Sequence, residues 1–236
     1  MRCDISLVIP AYNEAERLGS TLERAAEYLS RRGVSYEVLV VDDGSRDRTV
    51  EVAEGFADRG VRVIRHERNR GKGAAVRTGM LASQGGEVLL SDADASTPIE
   101  ELEKLERRLP EAPVVFGSRA VAGADVRQHQ PFYRELMGKT FNRIIRLLGV
   151  GGVRDTQCGF KLLAGDVARE LGAELTVDGF AYDVELVWLA RRRGYPIAEV
   201  GVIWVNSPDS RVDPIRSSLS MFRDVVRMRL RHSRGR

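Results

Sequence analysis

Val38-Leu39-Val40-Val41-Asp42-Asp43-Gly44-Ser45 carries the reading of the fold. Four consecutive apolar residues, three of them β-branched, predict a strand buried on both faces. Two carboxylates and a Gly-Ser turn then end it. The pattern recurs at Glu87-Val88-Leu89-Leu90-Ser91, followed by Asp92-Ala93-Asp94. Carboxylates gathered at the carboxyl ends of parallel strands repel one another unless a cation or a donor-rich ligand sits there.

Outward from these runs, strand and helix signals alternate. Ile5 to Ile9 is a short apolar run ending at Pro10. Leu18, Leu22, Ala25, Ala26 and Leu29 fall at helical spacing within Glu14 to Arg31. Further helices are expected over Arg48–Arg59, Lys72–Ser83 and Pro98–Leu109, and further strands over Val61–Ile64 and Val114–Phe116. Short strands interleaved with helices imply an α/β chain with a mostly parallel sheet covered on both faces. Right-handed crossovers bring the loops after the strands to one edge. That edge collects Tyr12-Asn13-Glu14, Asp42-Asp43-Gly44-Ser45, Asn69 to Gly73 and Asp92-Ala93-Asp94.

The second half reads differently. In Phe132 to Leu148, Met137, Phe141, Ile144, Ile145 and Leu148 share one helical face, with Lys139, Arg143 and Arg146 opposite. Such a helix either faces a core or lies in a membrane interface with its basic side outward. Val177–Arg193 is expected to be a helix carrying Asp183 and Glu185, Ile197–Val205 a strand, and Phe222–Leu230 a short basic helix.

Composition narrows the class. The 236 residues are 43% hydrophobic and 30% charged, as in a soluble globular protein. The net charge of +3 says little, but Met221 to Arg236 holds six arginines and one aspartate. Such an end suits an anionic lipid surface or plain solvation, and no nucleic-acid partner is expected. Cys3 and Cys158 are read as two reduced thiols, not a disulfide framework. The start MRCDISLVIPAYNE is not a signal peptide, and no window reaches the roughly 18 apolar residues of a membrane-spanning helix.

Asp92 and Asp94, two residues apart, project to the same side in extended backbone and place two hard oxygen ligands within reach of one divalent cation. Paired aspartates also make turns and caps, and Asp94 precedes Ser96-Thr97-Pro98, a helix opening. Asp42 or Asp43 is a candidate acceptor for a nucleobase N–H or a ribose hydroxyl. Asn69-Arg70-Gly71-Lys72-Gly73 opens a helix and offers N–H groups, the helix dipole and Lys72 to a phosphate. It is not a P-loop, and no GxGxxG follows the first strand. Gly-x-Ser-x-Gly is absent, and His66, His129 and His232 form no recognisable triad. Arg119, after the strand at Val114, is a candidate phosphate clamp, with Arg127, Arg134 and Lys161 as weaker ones.

Together, Ile9-Pro10-Ala11-Tyr12-Asn13-Glu14, Val41-Asp42-Asp43-Gly44-Ser45-x-Asp47, Asn69-x-Gly71-Lys72-Gly73 and Asp92-Ala93-Asp94 resemble the family 2 inverting glycosyltransferases of GT-A fold. Gly117-Ser118-Arg119, Arg154-Asp155-Thr156-Gln157-Cys158-Gly159-Phe160-Lys161-Leu162 and Phe180-Ala181-Tyr182-Asp183-Val184-Glu185-Leu186 are similar to the branch that glycosylates polyprenyl or dolichyl phosphate. Within it, the dolichyl-phosphate β-glucosyltransferases are most similar, and the mannose synthases are close. Some of the latter carry glutamine where Ser96 stands here.

With no internal repeat, low-complexity tract or linker, a single domain over 1–236 is expected. Residues 1–120 would form the nucleotide-sugar half and 121–236 an acceptor and membrane-side elaboration. The resemblance implies that Pro10, Tyr12 and Glu14 line the nucleotide pocket, that Asp42 or Asp43 meets the base, and that Lys72 lies by the phosphates. Asp92 and Asp94 would hold Mg²⁺ or Mn²⁺ on the donor diphosphate. Arg119 would contact the acceptor phosphate or the diphosphate, and Asp155, Gln157 and Lys161 the donor sugar or acceptor. The expected reaction is transfer of a hexose, with glucose favoured, from a UDP-sugar to a polyprenyl phosphate. It would take place at the cytoplasmic membrane face, with the protein peripherally attached. The alternatives are mannosyl transfer from GDP-mannose, and a hydroxyl acceptor with Asp183 or Glu185 as base.

Overall fold

The computed structural model describes residues 3–127, 152–205 and 214–233. A seven-stranded sheet organises the chain. It holds β1 (Ile5–Ala11), β2 (Tyr36–Asp42), β3 (Val61–Arg65), β4 (Glu87–Leu90), β5 (Val114–Ser118), β7 (Lys161–Ala164) and β8 (Ile197–Gly201). Their order across the sheet is β3-β2-β1-β4-β7-β5-β8. All run parallel except β7, which is antiparallel to β4 and β5. Two short strands, β6 (Asp125–Arg127) and β9 (Ile203–Val205), pair in parallel as a separate ribbon.

Alternation along the strands feeds two cores. Ile5, Leu7 and Ile9, with Val38 and Val40, face α1 (Leu18–Arg31) and α4 (Leu102–Glu106); α2 (Thr49–Glu54) adds Ala53 to this side. Val8, Leu39, Val88 and Leu90 face the opposite way. There they meet α3 (Lys72–Ala82), α5 (Gly165–Glu174), α6 (Tyr182–Arg192) and α7 (Pro214–Ser233), the last through Met221, Val225 and Met228. The continuous apolar strand runs are thus explained: both faces are covered.

Several expected boundaries move. The helix expected from Glu14 starts at Leu18, because Glu14 to Arg17 make a turn whose carbonyl at Glu14 takes the N–H groups of Arg17 and Leu18. Arg48–Arg59 breaks into α2 and a 3₁₀ turn at Ala57–Arg59, and Pro98–Leu109 shortens to a 3₁₀ turn plus α4. The helix expected from Val177 begins at Tyr182. Glu185 instead accepts the N–H groups of Thr176 and Val177, holding that stretch as a loop. Ile197–Val205 is two strands in two sheets, since the chain leaves the main sheet after Gly201. The last helix is longer than Phe222–Leu230, and β6, β7 and α5 were not expected. The amphipathic stretch Phe132–Leu148 lies outside the described residues.

Candidate active site

Five parallel strands, β1 to β5, end on one edge, and β7 begins there. Lys161 pairs with Leu90 on one side and Phe116 on the other. The antiparallel strand therefore delivers the residues before it, Asp155 to Phe160, to the loops that follow β4 and β5.

On the β1–β3 side the loops are tied to one another. Asp43, 4% exposed, accepts the N–H groups of Arg70 at 2.9 Å and Gly71 at 2.7 Å, with His66 Nδ1 2.7 Å away. His66 Nε2 reaches Thr78 Oγ1 at 3.0 Å in α3. Asp43 thus fixes the loop expected to bind phosphate, but it takes up the Arg70 and Gly71 N–H groups that were expected to face that phosphate. Asp42 is fully buried and accepts the Ser45 N–H. Gly44 has φ +76°, and a Cβ there would stand 2.6 Å from the Arg68 carbonyl carbon, so only glycine lets the two loops approach. Ser45 Oγ accepts the Asn13 N–H, Asn13 Oδ1 accepts the Arg46 N–H, and Thr49 Oγ1 accepts the Glu14 N–H. Between these loops opens a pocket of about 440 Å³, lined by Tyr12, Gly44, Ser45, Arg65, His66 and Asn69 among others. Its size suits a small ligand. Tyr12 is 41% exposed beside it, and Pro10 is half-buried in β1 opposite Val41. The Glu14 carboxylate is paired with Arg17.

Behind β4 lies the acidic centre. Asp92 Oδ1 is 2.6 Å from Lys72 Nζ, the first residue of α3. The whole carboxylate rests on the Gly159 backbone, where a Cβ would fall 2.1 Å from Oδ2 and 2.6 Å from Oδ1. Burial works against the Asp92 charge. Lys72, then Lys161 and Arg119, overcome it and hold the carboxyl below its ordinary range. Lys72 is in turn kept charged: burial opposes this, but Asp92, Asp183 and Asp94 prevail. Asp94, half-buried, accepts the Ser96 N–H at 3.0 Å across a turn whose next residue, Ala95, has φ +50°.

On the β5 side, Arg119 grips Asp155 with two parallel bonds, Nε at 2.7 Å and Nη2 at 2.8 Å, and adds its backbone N–H at 3.0 Å. Its guanidinium stacks on Trp204. Burial opposes both charges, yet the pair holds Asp155 below its ordinary value and raises Arg119. Glu199 of β8 fixes the loop by accepting the N–H groups of Arg154 and Asp155. Lys161 is fully buried between the rings of Phe116 and Tyr182; its ammonium donates to the Cys158 carbonyl and lies 2.6 Å from Asp183 Oδ1. That approach makes an ion pair without hydrogen-bond geometry. Burial outweighs Lys161 and raises the Asp183 carboxyl. Cys158 is also buried, and its thiol is pushed up to about 11, first by burial and then by Asp155. Thr156 Oγ1 is buried without a hydrogen-bond partner in the described structure.

The expected residues therefore fall into three groups. Asp92, Asp94, Lys72, Lys161 and Asp183 form one alternating charge cluster, with Arg119 and Asp155 beside it. Of the residues expected to meet the nucleotide, Tyr12 lines the pocket; Pro10, Glu14, Asp42 and Asp43 do not, and the two aspartates are buried and accept backbone N–H groups of neighbouring loops. Gln157 Nε2 lies 3.0 Å from Met221 Sδ, tying the loop to α7, and Arg127 pairs with Asp125 on the β6 ribbon instead of joining the cluster. Arg134 lies outside the described residues. His66, Gly159, Tyr182, Trp204 and Glu199 were not singled out as site residues by the sequence. Gly159 had a signal: a glycine in a Cys-Gly-Phe-Lys run close to functional residues.

This strand order, with two aspartates and buried cations on one sheet edge, is a frame shared with solved transferases of GT-A fold. Residues 6–172 match Glycosyl transferase family 2, and the chain belongs to that family; it is a glycosyltransferase. It is 39% identical to the dolichyl-phosphate beta-glucosyltransferase of Drosophila melanogaster, over 98% of this chain and 76% of that protein. It is 38% identical to the human protein of the same description over the same shares. Its fold is that of the glucosyl-3-phosphoglycerate synthase of Mycobacterium tuberculosis in complex with Mn²⁺ and UDP-glucose. The TM-score is 0.71, at 20% identity, covering 96% of this chain and 79% of that one. The architecture is GT-A, a mostly parallel sheet flanked by helices.

Proposed function

We propose that this protein transfers glucose, with inversion, from UDP-glucose to a polyprenyl phosphate of the dolichyl type, at the cytoplasmic face of a membrane and with a divalent metal. The observation that carries it is the convergence of Asp92 and Asp94 with Lys72 and the Arg119–Asp155 clamp at one sheet edge, in a chain whose relatives are described as dolichyl-phosphate beta-glucosyltransferases.

The donor set fits a hard cation. Asp92 and Asp94 offer carboxylate oxygens from one loop, and no third His, Cys, Asp or Glu joins them among the described residues. The remaining oxygens would come from the donor diphosphate, the sharing that Mg²⁺ and Mn²⁺ favour. When bound, the metal neutralises charge developing on the leaving nucleoside diphosphate. Lys72 supports the same charge from the start of α3, and Asp43 holds the loop before it through the Arg70 and Gly71 N–H groups. Asp155 fixes the plane of Arg119, whose remaining N–H groups orient the acceptor phosphate. A phosphate monoester, with its second pKa near 6, is already an anion at pH 7 and needs no general base. The burial of Asp183 against Lys161 agrees with this: that carboxylate shapes the field at the cluster and is poorly placed to take a proton from an incoming hydroxyl.

The test is release of nucleoside diphosphate from UDP-glucose, other UDP-sugars and GDP-mannose, with and without a polyprenyl phosphate and with and without Mg²⁺ or Mn²⁺. Release from UDP-glucose should need both metal and lipid phosphate. Asp94→Asn should lower the rate about a hundredfold or more while leaving the melting temperature nearly unchanged, because Asp94 holds only a local turn. Release from GDP-mannose alone would replace the donor, and lipid-independent release would remove the acceptor.

A further inference from the structure

The cluster contains two lysines near Asp92, and they differ in freedom. Lys161 is fully buried, stacked between two rings and committed to Asp183 and the Cys158 carbonyl. Lys72 is 24% exposed at the mouth of α3, and its ammonium sits 2.6 Å from Asp92 Oδ1. The Gly159 backbone lies against both carboxylate oxygens, where a Cβ would fall 2.1 Å from Oδ2 and 2.6 Å from Oδ1, so a cation that binds through Oδ1 competes there with the Lys72 ammonium. Asp94 has no lysine or arginine within ion-pair distance among the described residues.

Given the metal-dependent transfer proposed above, we infer that Lys72 is an exchangeable counter-ion that blocks Asp92 to a bare divalent cation and moves onto the diphosphate when the donor arrives. The electrostatics follow from the pairing. Without nucleotide, the metal would have to strip an ammonium from its carboxylate and leave it stranded in a partly buried cleft. With the diphosphate present, the ammonium gains a new anion within reach of its flexible stem, and Asp92 is released to the metal. Metal and nucleotide then enter as one unit, and each raises the affinity for the other by the same factor.

Mn²⁺ binding, read by electron paramagnetic resonance on the whole chain with and without UDP, tests this apart from turnover. The wild type should bind Mn²⁺ weakly alone and about tenfold or more tightly with UDP. Lys72→Met should bind Mn²⁺ alone about tenfold more tightly than the wild type and lose most of the gain from UDP, whereas Lys72→Arg should keep the wild-type pattern. Thermal unfolding of each variant shows whether it is folded. If Lys72→Met is misfolded, the comparison of Lys72→Arg with Lys72→Gln takes its place, with the same expectation for the glutamine variant. Mn²⁺ affinity without UDP that is unchanged or weaker in the neutral variants overturns the exchange, even where Mn²⁺ with UDP still binds and the metal reading stands. Absence of Mn²⁺ binding in every arm, UDP included, overturns both.

Discussion

At the scale of single residues, the site is a set of charges whose signs alternate, and each charge depends on its neighbour. Asp155 shows this most simply. Its carboxyl lies below its ordinary value because Arg119 outweighs burial. Its contribution to stability is therefore complete above the unfolded value of about 3.9 and is lost as the pH falls through the lower folded value. Asp92 contributes in the same sense. Asp183 runs the other way: its raised carboxyl favours the fold at low pH, and that contribution fades as the pH rises beyond the unfolded value. Asp155→Asn should cost about 2–3 kcal/mol at neutral pH by leaving Arg119 partly buried and unpaired. It should also flatten the loss of stability between pH 5 and 2; urea unfolding across that range reads both effects. A variant whose deficit is as large at pH 2 as at pH 7 would show that the pair does not set this dependence. Asp92, Asp94, Lys72 and Arg119 stood out in the sequence because they follow strands or open a helix along one expected edge, and Asp155 only through the resemblance of the run that carries it. Their pairing was not, because which cation meets which carboxylate depends on the placement of segments far apart in sequence.

At the scale of elements, the decisive feature is β7. Runs such as Val38–Val41 announce themselves, but Lys161-Leu162-Leu163-Ala164 is four residues long and begins with a lysine, which counts against a buried strand. Its fit comes only from tertiary structure: Phe116 and Tyr182 sheathe the ammonium and Asp183 balances it. The same holds for α6, whose expected start at Val177 is delayed by Glu185 bonding to backbone N–H groups, a tertiary choice that helical periodicity does not encode. Because β7 enters at the active edge, Gly159 is pressed on Asp92. Gly159→Ala should push the loop and the carboxylate apart by more than 1 Å of overlap, since a Cβ at 2.1 Å is below any real contact. Calorimetric titration with Mn²⁺ and UDP should then lose binding by about tenfold or more, with a melting temperature lower by only a few degrees. Binding equal to the wild type would mean that the Asp92–Gly159 contact does not matter.

At the scale of the whole molecule, the α/β layering and the single active edge could be read from the alternation of short apolar runs with helical spacing. The separate β6–β9 ribbon could not, because three-residue strands leave no periodic trace. No helix among the described residues is long and apolar enough to cross a membrane. The described surface also offers a basic face to a lipid substrate of the kind proposed. α7 buries Met221, Val225 and Met228 and turns Arg223, Arg227, Arg229 and Arg231 outward, with Phe222 44% exposed among them. Such a face is suited to an anionic interface, at about 1 kcal/mol per arginine near the surface. Flotation with phosphatidylserine vesicles should recover the protein in the vesicle fraction. The double variant Arg223→Glu, Arg227→Glu should lower that fraction severalfold, as should 0.5 M salt. Equal flotation of the double variant would exclude this face.

The burial of Cys158 has a consequence outside catalysis. With its pKa near 11, almost none of this thiol is thiolate at neutral pH, and the sheet shuts out reagents as well. Cys3, half-buried near the start of β1, is the only other thiol in the chain. The protein therefore carries its own clock for large-scale opening. Iodoacetamide should mark Cys3 first and reach Cys158 only as often as the layers around β7 come apart. Mass spectrometry of the second label would time those openings in the native protein, without added denaturant, and a bound donor should slow them.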